Sequence, residues 1–205
     1  MVRRAVMGTA GRPTKLTHAQ VSTGFPRLVR VSAKALNSSM ETRVRPATLA
    51  DAQAINAIHN HYVRTCTCTW QTIQETDENR LKWLKSRDQA HPVIVAEIGH
   101  QVVGWGSISA YNTRTGWSAT VEDSVFIHHA HQGKGLGKLI LGDLLHRAEQ
   151  LGHKSVIARI SGEQVGSLRL HTSLGFEPAG LLKAVGRKFE QDLDCVYLLK
   201  SLRKP

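Results

Sequence analysis

Residues 41–205 predict a mixed α/β domain, a twisted and partly parallel central sheet flanked by helices, and three features of the chain point to it. Some stretches repeat their apolar residues with a period of two and others with a period of about 3.6. The two kinds alternate in the order βααβββαβαββ, which requires strands separated by helices as well as strands that follow one another directly. Glycines stand at the changeovers, with Gly99 in a turn and Gly152 and Gly175 placed to end helices.

Taken in order, residues 43–45 form a short first strand. Thr48 and Asp51, three positions apart, make a capping box that opens a helix with Ile55, Ile58 and Tyr62 on one face. A second helix is expected over residues 76–90. Residues 92–97 and 101–110 are two strands joined at Gly99-His100, hence an antiparallel hairpin, and residues 120–127 are the next strand. The strongest helix covers residues 135–151, where Leu136, Ile140, Leu144 and Ala148 fall in i, i+4 register. A strand at 155–160, a short helix at 164–174 and two final strands complete the domain, the last strand ending at Leu199.

With 41% hydrophobic content in 205 residues, one core and one domain are expected. No apolar run approaches the roughly 18 residues of a membrane-spanning helix, so a soluble chain without a membrane partner is expected. Three cysteines, Cys66, Cys68 and Cys195, show neither disulfide nor zinc-ribbon spacing; a reducing compartment such as the cytoplasm suits them, and no chemistry is assigned to them. The net charge of +11 is uneven. Residues 1–40 carry Arg3, Arg4, Arg12, Lys15, Arg27, Arg30 and Lys34 and no acid, which leaves +4 for the rest. Three readings of this basic extension stand open: an organellar targeting segment or disordered tail, translation that starts at Met40, or a functional arm that binds nucleic acid. The folded domain itself is expected to bind no nucleic acid.

The sharpest local feature is Gln132-Gly133-Lys134-Gly135-Leu136-Gly137, set between a strand and an amphipathic helix. Glycines there let the backbone approach a ligand, and the helix start offers unpaired N–H groups and the positive end of the dipole. Lys134 and Lys138 add charge suited to a pyrophosphate. A Walker pattern is absent, and residues 155–160 lack the acid that a dinucleotide-binding fingerprint would place there.

Residues 125–137 resemble the acetyl-CoA motif of the GNAT superfamily, a strand followed by Gln/Arg-x-x-Gly-x-Gly/Ala, with Gln132, Gly135 and Gly137 at the fixed positions. Leu170-His171-Thr172-Ser173-Leu174-Gly175-Phe176 is similar to the superfamily's Leu-Tyr-x-x-Leu-Gly-Phe segment. Thr120-Val121-Glu122-Asp123-Ser124-Val125 and Gly186-Arg187-Lys188-Phe189 resemble the phosphinothricin acetyltransferase branch. The resemblance spans residues 42–199.

What the resemblance implies is the GNAT fold and an N-acetyltransferase that moves an acetyl group from acetyl-CoA to the primary amine of a small amino-acid-like acceptor, of the phosphinothricin or methionine sulfoximine type. The pantetheine arm would lie along Val125, Phe126 and Ile127, in a V-shaped opening between two central strands. The pyrophosphate would sit at Gly133, Lys134, Gly135, Leu136, Gly137 and Lys138, and Gln164 stands where the family usually has an Asn near the pantetheine. An ammonium acceptor must lose a proton before it attacks a thioester, and Glu122 occupies the position of the branch's base. Strand alternation should turn Asp123 to the other face. His171 takes the place of the proton donor to the leaving thiolate, and a backbone N–H near Val125 would hold the oxyanion. Trp70, Tyr111, Arg114 and Trp117 fall in segments that line the acceptor pocket. Where the branch often has Arg, Arg and His, this chain has Asn112, Ser118 and Ala119, which removes donors that would hold phosphinothricin itself. His128, His129 and His131 are expected on the rim of the cofactor turn, with no metal. A homodimer is compatible with this reading. A peptide or protein acceptor, and a non-catalytic acyl-CoA sensor, are the alternatives.

Overall fold

The computed structural model describes residues 41–202, so the readings placed on residues 1–40 lie outside the described residues. Seven strands and four helices follow one another as expected: β1 (Thr42–Pro46), α1 (Ala52–Thr65), α2 (Asp77–Lys85), β2 (Val93–Ile98), β3 (Gln101–Ala110), β4 (Thr120–Ile127), α3 (Leu136–Gln150), β5 (Ser155–Ser161), α4 (Val165–Ser173), β6 (Glu177–Lys188) and β7 (Gln191–Ser201). One sheet holds all the strands in the order β1-β2-β3-β4-β5-β7-β6. Only β4 and β5 run parallel.

Local chemistry sets most boundaries. Thr48 N and Oγ1 both donate to Asp51 Oδ2, at 2.7 and 2.9 Å, and a short 3₁₀ turn leads into α1. Thr76 caps α2 by accepting from Asn79 N. Gly99 and His100 both take positive φ, 55° and 68°, as a two-residue type I′ hairpin turn demands. Helix α2 ends at Lys85 rather than near residue 90. The Arg87 guanidinium there turns inward, donating to His91 O, Ser109 Oγ and Ile108 O, and so uses the following residues to anchor a loop on β3.

The sheet is covered on both faces. Against one lie α3 and α4, where Ile140, Leu141, Leu144 and Ala148, all fully buried, pack on Ile94, Ile108, Val121 and Val156. The other face receives α1 and α2 through Ile55, Ile58, Tyr62 and Leu84 on Val93, Val95 and Trp105. Each such side chain removed from water contributes about 1.5–3 kcal/mol. Helix α3 comes close because β3 presents glycines to it. A Cβ on Gly106 would stand 2.6 Å from Ile140 Cγ2 and 2.8 Å from Leu144 Cδ1. Gly106→Ala therefore overpacks the α3 interface, and unfolding in urea should show a loss of about 1–3 kcal/mol; unchanged stability would mean that α3 has room to move away.

Candidate active site

Strands β4 and β5 share three register pairs, Thr120↔Ser155, Val121↔Val156 and Glu122↔Ile157, and then part. Strand β4 continues beside β3 to Ile127, and β5 continues beside β7 to Ser161. Tyr111 N donates to Thr120 O, and His128 N to Val103 O, so the even-numbered residues of β4 turn their peptide groups toward β3. In an antiparallel ladder the alternate residues then face outward. The C=O of Asp123, the N–H and C=O of Val125 and the N–H of Ile127 accordingly border the opening, where an extended amide-bearing ligand can pair with them, while the Ile127 C=O accepts from the Tyr62 hydroxyl. This is the V-shaped opening expected beside Val125, Phe126 and Ile127.

The opening leads to the start of α3. Gly133 and Gly135 have φ of 73° and 81°, and a Cβ on either would meet nothing within 4 Å. The positions need glycine for the left-handed backbone, and the space beside them is free for a ligand. Leu139 N is the amide that bonds back to Gly135 O, which leaves the earlier amides, at Leu136, Gly137 and Lys138, as the donors of the helix start. Lys134 Nζ reaches Ala130 O at 3.3 Å. Two side chains assigned to the cofactor are engaged within the protein instead. Gln132 Nε2 donates to the Tyr62 hydroxyl at 2.6 Å, and that hydroxyl donates to Ile127 O, so Gln132 clips the end of β4 and the glycine turn to α1. Gln164 Nε2 donates to Thr67 Oγ1 at 2.9 Å and ties the start of α4 to the α1–α2 loop. The ring of His129 stacks between His61 and His128 beside this turn.

A cavity of about 630 Å³ lies at the parting of the strands, and both faces of β4 border it. On the α1/α2 side the Glu122 carboxylate receives Arg159 Nε and Nη2, each at 2.7 Å, a bidentate pair that raises the arginine's pKa. On the α3/α4 side is Asp123. Alternation does turn it away from Glu122, as expected, but because the strands have parted it still borders the same cavity. There it meets His171, whose Nε2 lies 3.1 Å from Asp123 Oδ2 and whose Nδ1 lies 2.7 Å from Ser167 O. Both ring nitrogens thus face oxygen atoms. Burial alone would lower the pKa of His171, but the hydrogen bond and charge of Asp123, helped by the Ser167 carbonyl, outweigh it and leave the value raised. The expected proton donor is therefore a buried imidazole with both ring nitrogens already engaged.

Of the expected acceptor residues, Trp70 borders the cavity, packed so closely on β6 that a Cβ at Gly186 would be 2.3 Å from its ring. Tyr111, Arg114 and Trp117 are not among the lining residues. Tyr111 and Trp117 lie against each other at 5.1 Å, Trp117 is 43% exposed, and Arg114 sits in a turn closed by Asn112 Oδ1. The resemblance had placed these residues on the acceptor wall; the cavity is lined, beside Trp70, by His59, Arg80, Trp83 and Trp105, on α1, α2 and β3. Arg159 was also not anticipated, although a basic residue two positions past the last β4–β5 pair is a signal for a diagonal partner of Glu122. Lys188, from the Gly186-Arg187-Lys188-Phe189 motif, donates to Tyr62 O, Cys66 O and Thr69 O and pins the loop that carries Trp70.

An exposed strand edge in a split sheet, continued by an anion cradle at a helix start, defines a protein that binds a long ligand with an amide-bearing arm and a phosphate end. The model described as the acetyltransferase (GNAT) family matches residues 55–176, and the chain belongs to that family. It is an acetyl-CoA-dependent N-acetyltransferase. It is 37% identical over 160 residues, 78% of this chain and 94% of the relative, to an L-methionine sulfoximine/L-methionine sulfone acetyltransferase of Salmonella typhimurium. Among solved structures, a phosphinothricin acetyltransferase from Sinorhizobium meliloti in complex with acetyl-CoA is 32% identical with a TM-score of 0.75, covering 79% of this chain and 89% of that one. A ribosomal-protein-alanine N-acetyltransferase from Brucella melitensis is 36% identical with a TM-score of 0.76, covering 78% and 99%.

Gly135→Asp puts a side chain and a negative charge into the cradle, and calorimetric titration with coenzyme A should show affinity reduced by roughly 10²-fold or more in a folded protein; unchanged affinity would move the phosphates elsewhere. His171 makes a second prediction. With its folded-state pKa raised, the stability it contributes is complete below the ordinary value of 6.5 and is lost as pH rises through the raised value. Urea midpoints of the protein and of His171→Gln should converge as pH rises past the ordinary value of 6.5 and through the raised one, whereas a gap that stays constant or widens with pH would show a ring whose pKa is not raised by folding.

Proposed function

We propose that the enzyme acetylates the primary amine of small amino-acid-like acceptors, of the methionine sulfoximine or phosphinothricin type, with Glu122 as the proton acceptor. The observation that carries this is a carboxylate placed where β4 and β5 part, facing a cavity walled by Trp70, Trp83 and Trp105 and of a volume suited to a small molecule. Acetyl-CoA supplies the activated acyl group, and the open edge of β4 and the cradle at α3 suit its arm and its phosphates.

Arg159 occupies one lone pair on each Glu122 oxygen and leaves the others. It holds the carboxylate in place while the acceptor's ammonium proton transfers to a free lone pair. The outward-facing amide of Val125 is the donor for charge that develops on the thioester oxygen. Across the opening, His171 acts through its positive charge on the leaving thiolate, and Asp123 and Ser167 hold its ring in place. Residues 41–205 make up the whole domain in this proposal. A cytoplasmic enzyme fits the three free cysteines and the bacterial relatives, and no helix among the described residues is long and apolar enough to cross a membrane.

The likeness to the ribosomal-protein-alanine N-acetyltransferase from Brucella melitensis favours a second reading, in which the acceptor is a protein. Thiol release from acetyl-CoA with methionine sulfoximine, ordinary amino acids and short peptides as acceptors separates the two, and a preference for peptides would overturn the small-acceptor reading. Glu122→Gln should lower turnover by roughly 10²-fold or more with acetyl-CoA affinity nearly intact, because shape is kept and the proton acceptor is lost. Its deficit should shrink as pH rises and more amine arrives already deprotonated. Wild-type turnover at every pH would falsify the assignment of Glu122 as the base.

A further inference from the structure

We propose that Arg80 is the anion-recognition group of the acceptor cavity and takes the carboxylate, or the phosphinate, of the molecule whose amine is acetylated. The proposal rests on the amino-acid-like acceptor proposed above.

Arg80 lies on α2 and is 7% exposed, yet its guanidinium is almost unused. Of its five N–H donors, one is committed, from Nη2 to His59 Nδ1 at 3.0 Å. Its Nε is buried without a hydrogen-bond partner, and no carboxylate among the described residues lies within ion-pairing distance of it. The other partly buried cations of the domain are satisfied. Lys188 spends its donors on three carbonyls, Arg87 is held by His91 O, Ile108 O and Ser109 Oγ, Arg159 grips Glu122, and Arg45 bridges Asp51 and Glu97. A buried cation without a counter-ion is costly, and this one stands in the wall of a ligand cavity.

Its surroundings prepare it for an anion. His59 has its pKa lowered to about 4 by burial and by the charges of Arg80 and Lys188, so it is neutral. Because Nδ1 accepts from Arg80, the proton sits on Nε2, directed to Thr69 Oγ1 at 3.4 Å. Neutral His59 orients the guanidinium without compensating its charge. The faces of Trp83 and Trp105, with ring centroids 4.9 and 5.7 Å from Arg80 Cζ, hold it flat and dry. Glu122, paired with Arg159, borders the same cavity from the same side of the sheet, and Glu75 borders it as well, acting on the charge of Arg80 without forming an ion pair with it. Opposite charges in one cavity fix the direction of a zwitterion: the ammonium goes to Glu122 and the anion to Arg80. Planar carboxylate and phosphinate groups both match the bidentate fork of arginine.

The test compares the protein with Arg80→Gln and Arg80→Lys on three acceptors: methionine sulfone, whose only anion is its carboxylate; methionine sulfone amide, which has none; and phosphinothricin, which adds a phosphinate. Arg80→Gln should cut kcat/KM for methionine sulfone by ~10²-fold and for the amide by less than about threefold, with Arg80→Lys in between. Loss confined to phosphinothricin would assign Arg80 to the phosphinate. Equal loss on all three acceptors would show a merely structural arginine and overturn the proposal. Should Arg80→Gln fail to fold, judged by its melting temperature and coenzyme A affinity, Arg80→Lys carries the same comparison, since it keeps the charge and loses the fork. Titration of the coenzyme A-loaded protein with methionine sulfone, followed by tryptophan fluorescence from Trp83 and Trp105, reads binding without turnover. Binding that depends on Arg80 without acetylation would keep the anion site and remove the acetylation of amino acids; a wild-type protein that neither binds nor acetylates methionine sulfone or phosphinothricin would end both.

Discussion

Backbone groups in a sheet must be paired or solvated, and from Asp123 to Ile127 strand β4 has a strand partner on one side only. Three register pairs with β5 bring the two strands together, and each then follows a different neighbour, β3 or β7, that it pairs with far more extensively. The unpaired edge is the origin of the site. It offers an extended ligand the hydrogen bonds that a strand would otherwise take, and it opens the sheet so that side chains of both faces reach one cavity. Without the parting, Glu122 and Asp123 would stand on opposite surfaces of a continuous sheet and could not border the same ligand.

Such an edge has to be held in place at both ends. At the far end Tyr62 donates to Ile127 O and accepts from Gln132, which links α1, β4 and the glycine turn in a single chain of hydrogen bonds. At the near end, Arg159 binds Glu122 across the last pair of the parallel ladder, and His171 binds Asp123 from beneath. The α1–α2 loop is fixed by Lys188 and by Gln164, so elements distant in sequence are drawn around the opening by polar contacts rather than by the core. Two hydrophobic clusters, one on each face, provide the rigid layers from which these groups project.

The buried charges divide by what satisfies them. Glu122 has the Arg159 guanidinium, Asp123 has the His171 ring, and Lys188 has three carbonyls. Arg80 has a neutral imidazole and two indole faces, none of which carries a compensating charge. A domain that pairs its other partly buried cations so completely keeps this exception in the cavity wall. That contrast, more than the burial itself, marks the position as one that a ligand completes.

The sequence by itself determined the order of the elements, because side-chain periodicity and caps are local. Leu136, Ile140, Leu144 and Ala148 are buried as their spacing required, and Gly99, Gly152 and Gly175 take the positive φ expected of glycines at turns and helix ends. It also determined the left-handed turn at Gly133 and Gly135, whose parts are neighbours in the chain. Residue 85 as the end of α2 was beyond it, since Arg87 answers to Ile108 O and Ser109 Oγ on a strand 21 and 22 residues away. The tertiary structure alone decided the partners. Glu122 meets Arg159 and Asp123 meets His171 across 37 and 48 residues, and Gln132 and Gln164 turned to protein partners 70 and 97 residues distant. For the same reason Tyr111, Arg114 and Trp117, adjacent in sequence to β4, are not among the residues that line the cavity, while Arg80 and Trp83 on α2 are. Local sequence sets which groups a segment carries and which way they alternate; which of them meet depends on where long-range packing brings the segments together.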